Sequence, residues 1–173
     1  MTGGSGERRL TMPIDLIASM PLLLPRAIAW AEAQAAIVLV RGIALKAPAL
    51  ELAREVGVTS PGSIRIGVVD RLPLPADVSL REAALQSGLL GPGTIGLTLG
   101  YAVLICRGHE SKPGLLRHEF RHVYQYEAAG SIAAFLPVYL QQIVAFGYVD
   151  APLEADARAH EYRGAEWELE NER

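Results

Sequence analysis

The sequence predicts an α+β domain, and three observations carry that prediction. Apolar, Ala- and Leu-rich stretches with helix start and stop signals occupy both halves of the chain. Between them lie short segments of alternating or β-branched character, at residues 63–69 and 94–106. No internal repeat or low-complexity segment runs through the chain, so the order is helices, a few strands, then helices. At 173 residues the length is close to that of one domain.

Each element has its own signal. Residues 1–12 are polar and Gly-rich and are expected to form a loose N-terminal tail, leaving 13–173 as the single domain. Arg8 and Arg9 precede the apolar run 14–24, the charge-then-apolar order of a signal peptide. Asp15, Pro13, Pro21 and Pro25 interrupt that run, which is expected to pack as an irregular hydrophobic entry to a cytoplasmic protein. From Arg26 to about Val56 the chain reads as helix, started by Pro25 and split at Gly42 and Pro48. Its first piece, 27–40, is apolar on most sides, as suits a helix buried behind a sheet.

Residues 63–69 predict a strand that ends in the proline-rich loop 72–76. Ser79 and Glu82 form a capping box for a short helix stopping at Gly88. Residues 94–99 and 101–106 predict a hairpin around Gly100. Ser111 and Pro113 open a helix to about Glu127, and 131–146 form another, kinked at Pro137. Asp150 and Pro152 open a last helix towards the charged C-terminus.

Composition narrows the function. Half the residues are hydrophobic and 20% are charged, which excludes a disordered chain. A net charge of −3, with 14 Arg and only 2 Lys scattered along the chain, argues against a nucleic-acid partner. The single Cys106 excludes an internal disulfide and any multi-cysteine zinc knuckle, and is expected to be a small buried hydrophobe. Mean hydropathy is +0.22, high enough to raise the question of a membrane. Two uncharged stretches, 83–106 and 128–149, exceed the roughly 20 residues that span a bilayer. The first is broken by glycines, and the second separates two halves of the candidate site described next. The expectation is therefore no transmembrane span, with peripheral membrane contact through an apolar helix left open.

One motif carries chemistry. Residues 118–122 read His118-Glu119-Phe120-Arg121-His122, an H-E-x-x-H pattern that a shuffle of this composition produces on the order of once in a hundred. On a helix the two histidines lie one turn apart, about 6 Å along the axis, on one face. Both imidazoles can then reach one zinc ion at about 2.0–2.1 Å. Glu119 sits beside them as the base that takes a proton from metal-activated water. Leu116, Phe120 and Val123 supply a separate apolar stripe to bury the helix. A third histidine does not follow at the extended spacing, since Gln125 and Ala128 stand there. The leading candidate for the third ligand is Glu154, with Asp156 and His160 as the other choices.

The run from Arg117 to Gln125, followed some thirty residues later by Glu154-Ala155-Asp156-Ala157, resembles the gluzincin zinc metallopeptidases. It is most similar to their small single-domain bacterial members, the minigluzincin-like proteins. The resemblance covers roughly residues 94–157 and implies a zincin-like domain with His118, His122 and Glu154 on Zn2+. It further implies a peptide or protein substrate that pairs with an upstream edge strand, either 94–99 or 101–106 here. Small proteins of this type are also held latent by a tail across the cleft, for which 166–173 is the candidate segment. The family's Asp after the E-x-x-A alanine, which orients a ligating histidine, is Arg158 here, and arginine accepts no hydrogen bond. Asp156, a backbone carbonyl or water would have to take that role.

Two further points remain at the level of sequence. Any of the six tyrosines, or His160, offers a donor to a tetrahedral oxyanion, with Tyr124 and His160 the named candidates. A second function class competes with the enzyme: a zinc-stabilised binding or regulatory domain, closed by a fourth protein ligand such as Asp156 or His160. His109 in its polar turn is expected to be exposed rather than ligating, and Trp30 and Trp167 to be core or interface residues.

Overall fold

A computed structural model describes residues 13–162. The fold is α+β: six helices and one four-stranded mixed sheet among the described residues. The expected tail 1–12, the candidate blocking segment 166–173 and Trp167 lie outside them.

Helix α1 spans Leu16–Arg41 and so begins ten residues before the predicted start. Asp15 caps it, its Oδ1 accepting from the Ala18 N–H at 3.0 Å. Pro21 and Pro25 lie inside the helix, where each removes one backbone donor. The expected irregular entry is therefore helical. Burial of Leu23 against Leu80 and Ala83 compensates for the lost hydrogen bonds, a tertiary effect that no local pattern reports. Only one face of α1 is covered: Leu23, Ala31, Ala35 and Val38 are buried, whereas Val40 is 84% exposed and Leu22 63%. The helix is thus less enclosed than its composition suggests. It is long and apolar enough to cross a membrane, a property it shares with core helices of soluble proteins.

Gly42 ends α1 as predicted, and a two-residue strand β1 (Ile43–Ala44) precedes α2 (Ala47–Glu55), which has Pro48 in its first turn. Strand β2 covers Arg65–Val69. Helix α3 (Val78–Gln86) is capped by Asp77 through the Leu80 N–H at 3.0 Å, not by the Ser79 and Glu82 box. The hairpin forms as read, with β3 at Gly96–Leu99, β4 at Ala102–Cys106 and Gly100 at positive φ between them. Cys106 is half-buried at the end of β4. The remaining helices are α4 (Pro113–Ala129), α5 (Ile132–Phe146, capped by Ser131) and α6 (Pro152–Ala159). Lys112 occupies the N-cap position of α4 and Ala151 that of α6, so neither Ser111 nor Asp150 caps its helix.

The sheet order is β1-β2-β4-β3, with β2 and β4 parallel and the two outer pairs antiparallel. Residues of β4 alternate between two cores, as a central strand covered on both faces must. Ala102 and Leu104 join Ala35, Val38, Phe135 and Leu136 from α1 and α5. Val103 and Ile105 join Ala53, Leu116, Phe120 and Val123 from α2 and α4. The apolar stripe predicted on α4 is therefore buried where expected. β3 is left as an edge strand beside α4, which removes 101–106 as a substrate-pairing strand and leaves β3.

Candidate metal centre

Helix α4 starts with Pro113 in its first turn and stops at Gly130, which adopts positive φ and donates its N–H to the Tyr126 carbonyl at 2.9 Å. Within this frame the stripe of Leu116, Phe120 and Val123 fixes the helix rotation. His118, Glu119 and His122 are thereby turned away from that core, towards α6. A glycine-containing turn returns the chain through α5, and Pro152 opens α6 with Glu154 in its first turn.

His118, His122 and Glu154 converge. Their ligating atoms all lie within 4.8 Å of one another. Glu154 is 1% exposed and bridges the imidazoles, Oε2 lying 3.3 Å from His118 Nε2 and Oε1 3.2 Å from His122 Nε2. The two Nε2 atoms are themselves 3.2 Å apart. Both Nδ1 atoms point outwards to acceptors: His118 Nδ1 to Glu161 Oε1 at 2.9 Å, and His122 Nδ1 to Gln125 Oε1 at 2.8 Å. With a proton on each Nδ1, both Nε2 lone pairs face the centre, the tautomer a metal ligand needs.

Gln125 is in turn fixed by donating from Nε2 to Asp156 Oδ2 at 2.8 Å and to the Leu153 carbonyl at 3.0 Å. Asp156 also takes a two-point ion pair from Arg121, at 2.7 and 3.1 Å. Each histidine is thus oriented by a different partner. Asp156 reaches His122 through Gln125, while Glu161 serves His118 directly. Arg158 itself donates to the Val149 carbonyl and lies 3.8 Å from Glu154 Oε2.

The charges agree with a cation site. Burial opposes ionisation of Glu154, but His118, His122 and the Tyr139 hydroxyl outweigh it and hold its carboxyl well below the usual range. Burial likewise opposes a charged His118, yet Glu154, Glu119 and Glu161 together push it up to about 8. Tyr139 donates to Glu154 Oε1 at 2.6 Å, and burial together with the Glu154 charge raises its phenol far above the ordinary value. Glu154 Oε2 is buried yet receives no hydrogen bond. A buried, ionised oxygen without a donor is costly, and a cation between it and the two Nε2 atoms would satisfy it. Two imidazoles and a carboxylate are a donor set for a divalent transition metal, zinc included.

Glu119 is 4% exposed and its carboxylate lies against the edge strand. Thr98 Oγ1 is 2.7 Å from Glu119 Oε2 and 3.0 Å from the Glu119 carbonyl. Gly96 leaves room for the other oxygen, since a Cβ there would stand 2.2 Å from Glu119 Oε1. His118, Glu119, His122 and Glu154 all line one cleft between α1, α3, α5 and β3.

The remaining predicted residues are elsewhere. Tyr124 lies about 200° around the helix from His122, where it stacks under Arg121 at 4.0 Å and packs in the α2 core, so it is not an oxyanion donor. His160 bonds its Nδ1 to the Asp156 carbonyl at 2.7 Å and does not line the cleft. Tyr126, Tyr139 and Tyr148 line it instead. His109, expected to be exposed, is half-buried in its turn and is not part of the ligand cluster. Gln125 stands three residues from His122, a helical spacing that signals contact; Gly96, Thr98 and Glu161 carry no such local signal. No protein-family model, curated protein or solved structure matches the chain.

Proposed function

We propose that this protein is a zinc-dependent hydrolase of the metallopeptidase type, acting on an amide bond laid along β3. The observation that carries the reading is the convergence of His118, His122 and Glu154 beside a Glu119 carboxylate pinned to the edge strand. A zinc ion held by those three residues would polarise the scissile carbonyl and make water acidic enough to attack it.

The chain's own residues divide the remaining work. Glu119 takes the proton from the attacking water and returns it to the leaving nitrogen. Thr98 and Gly96 hold that carboxylate in one place. Among the described residues β3 has no strand on its outer edge, and the backbone there can pair with an extended substrate. Tyr139 spends its proton on Glu154, which leaves Tyr126 and Tyr148 as the other cleft hydroxyls that can face a developing oxyanion. This division matches the gluzincin resemblance, and a mixed sheet with its edge strand along the H-E-x-x-H helix fits a zincin-like domain.

The closed structural site is the weaker reading. Asp156 is taken up by Arg121 and Gln125, His160 by a backbone carbonyl, and no fourth donor joins the cluster among the described residues. The deciding experiment measures metal content and cleavage of a fluorogenic peptide mixture by the wild type and Glu119→Gln. One zinc per chain in both proteins is expected, with activity lost by about 100-fold or more in the variant. A zinc-loaded Glu119→Gln protein with full activity would overturn the mechanism.

A further inference from the structure

The cleft continues well beyond the metal ligands. On α1, Leu16, Met20, Leu23, Ala27 and Trp30 all line it, spaced at three and four residues along one helical face. That stripe is about 21 Å long at 1.5 Å per residue. On the opposite wall, Leu136, Leu140 and Ile143 of α5 repeat the same spacing. Most of the α1 stripe is only half-buried although it faces inwards, because the space beside it is the groove itself. Trp30 packs against both neighbouring core clusters and so stands between them.

Polar groups are sparse along these two stripes. The Trp30 ring N–H is the one they carry; elsewhere on the walls, besides Thr98, Glu119 and the three converging residues, stand Ser87, whose Oγ donates to the Ala84 carbonyl at 3.1 Å, and the hydroxyls of Tyr126, Tyr139 and Tyr148. A peptide backbone lying in that part would leave its N–H and C=O groups without partners. A single amino-acid side chain would fill only a fraction of the length. A hydrocarbon chain has no groups to satisfy and can follow the whole stripe.

We infer that the substrate of the proposed hydrolase is an amide bearing a long hydrocarbon chain, an N-acyl amide whose chain lies between α1 and α5 with its carbonyl at the metal end. The inference rests on the hydrolase reading for its chemistry. Water would add across the amide, its hydroxyl going to the acyl carbon and its hydrogen to the nitrogen, with the C–N bond broken and no redox change. One of the two apolar walls comes from α1, which lies outside the segment that resembles a peptidase.

The test uses full-length Glu119→Gln carrying Trp167→Phe, which leaves Trp30 as the only tryptophan of the two. Acetyl-, hexanoyl-, decanoyl- and tetradecanoylglycine are titrated against its fluorescence. Binding should tighten about fourfold per added methylene up to the length of the groove. Adding Ala27→Phe, or Val144→Phe at a further wall residue of α5, should abolish that dependence while leaving zinc content unchanged. Affinity independent of chain length, retention of the dependence in both filled variants, or tighter binding of an apolar pentapeptide would each overturn the assignment. With Glu119 restored, amine release separates the two readings. Chain-dependent binding without hydrolysis refutes the hydrolase and keeps the groove; equal cleavage of acetyl- and tetradecanoylglycine does the reverse.

Discussion

Thr98 Oγ1 and Glu119 Oε2 are 2.7 Å apart, and the same hydroxyl is 3.0 Å from the Glu119 backbone carbonyl. A residue of the edge strand therefore grips the proposed base at two points, both buried. A hydroxyl has one proton to donate, so it can serve the carboxylate or the carbonyl at any moment. Replacing Thr98 by Val keeps the shape and removes the grip. Hydrolysis should fall by about 100-fold in kcat, because a base displaced by an ångström loses its alignment. Thr98→Ser should retain activity within a few-fold, and zinc content should be unchanged in both. If Thr98→Val matches the wild type, the contact does not position the base.

Gly96 makes the complementary case by absence of a side chain. A methyl group at this position would stand 2.2 Å from Glu119 Oε1 and 2.7 Å from its carboxyl carbon, well inside van der Waals contact. Gly96→Ala must therefore push Glu119 aside or push β3 away from α4. Activity should drop by about 100-fold or more while zinc stays bound, since the three atoms nearest to a Cβ at Gly96 all belong to Glu119. Metal analysis alongside peptide cleavage checks both halves; loss of zinc as well would show that the strand, not the carboxylate, moved.

How much of this was legible beforehand depends on whether the signal is local. The H-E-x-x-H spacing, the buried stripe of Leu116, Phe120 and Val123, the hairpin at Gly100 and the helix break at Gly42 all follow from residues within one turn or one strand. Glu154 was also readable, because its E-x-x-A segment is short and contiguous. The helical start of α1 was not: two prolines and an apolar run look irregular until Leu23 meets Leu80 and Ala83, more than fifty residues away. Likewise nothing near Gly96 in the sequence announces its role until Glu119 is placed against it. Glu161 and Tyr139 act only through the third dimension, and no spacing announces them.

Tyr139 tests the ligand that the sequence placed by its E-x-x-A context. Its hydroxyl, 2.6 Å from Glu154 Oε1, is the shortest contact that this carboxylate receives. Tyr139→Phe leaves a buried, ionised Glu154 with one donor fewer. Zinc affinity should weaken by about 10–100-fold, the usual cost of losing a partner behind a ligand. The metal-free protein should lose about 1–3 kcal/mol in chemical denaturation. Unchanged affinity would mean that Glu154 is held by its helix alone.

Gln125 deserves the same test at the other ligand, with a different expectation. It accepts from His122 Nδ1 at 2.8 Å and hands the load to Asp156 and the Leu153 carbonyl. Gln125→Leu removes the acceptor and also strands one bond of Asp156, while Gln125→Glu keeps an acceptor and sets a second carboxylate beside Asp156. The leucine variant should bind zinc about 10–100-fold more weakly, whereas the glutamate variant should keep the affinity but lose stability. A chelator competition and a thermal melt on each variant distinguish the two; equal behaviour would mean that the tautomer of His122 is not set here.

The pH dependence of the metal-free protein follows from His118. Burial opposes its charged form, but the carboxylates of Glu154, Glu119 and Glu161 prevail and raise it from 6.5 to about 8. A histidine whose folded value lies above its unfolded one stabilises the fold when protonated. That contribution is complete below about pH 6.5 and disappears as pH rises through about 8. The apoprotein should therefore melt at a lower temperature on the alkaline side of this window. Zinc must displace the same proton, so its apparent affinity should rise by up to about tenfold per pH unit across the window and then level off. Glu154, held well below the usual carboxylate range, stays ionised throughout and adds no second step. Zinc competition against a chromophoric chelator and thermal melts, both between about pH 6 and 9, read the two slopes. A zinc affinity that is flat over this range would mean that His118 is already neutral in the free protein, and the carboxylates around it would then not be acting on its proton.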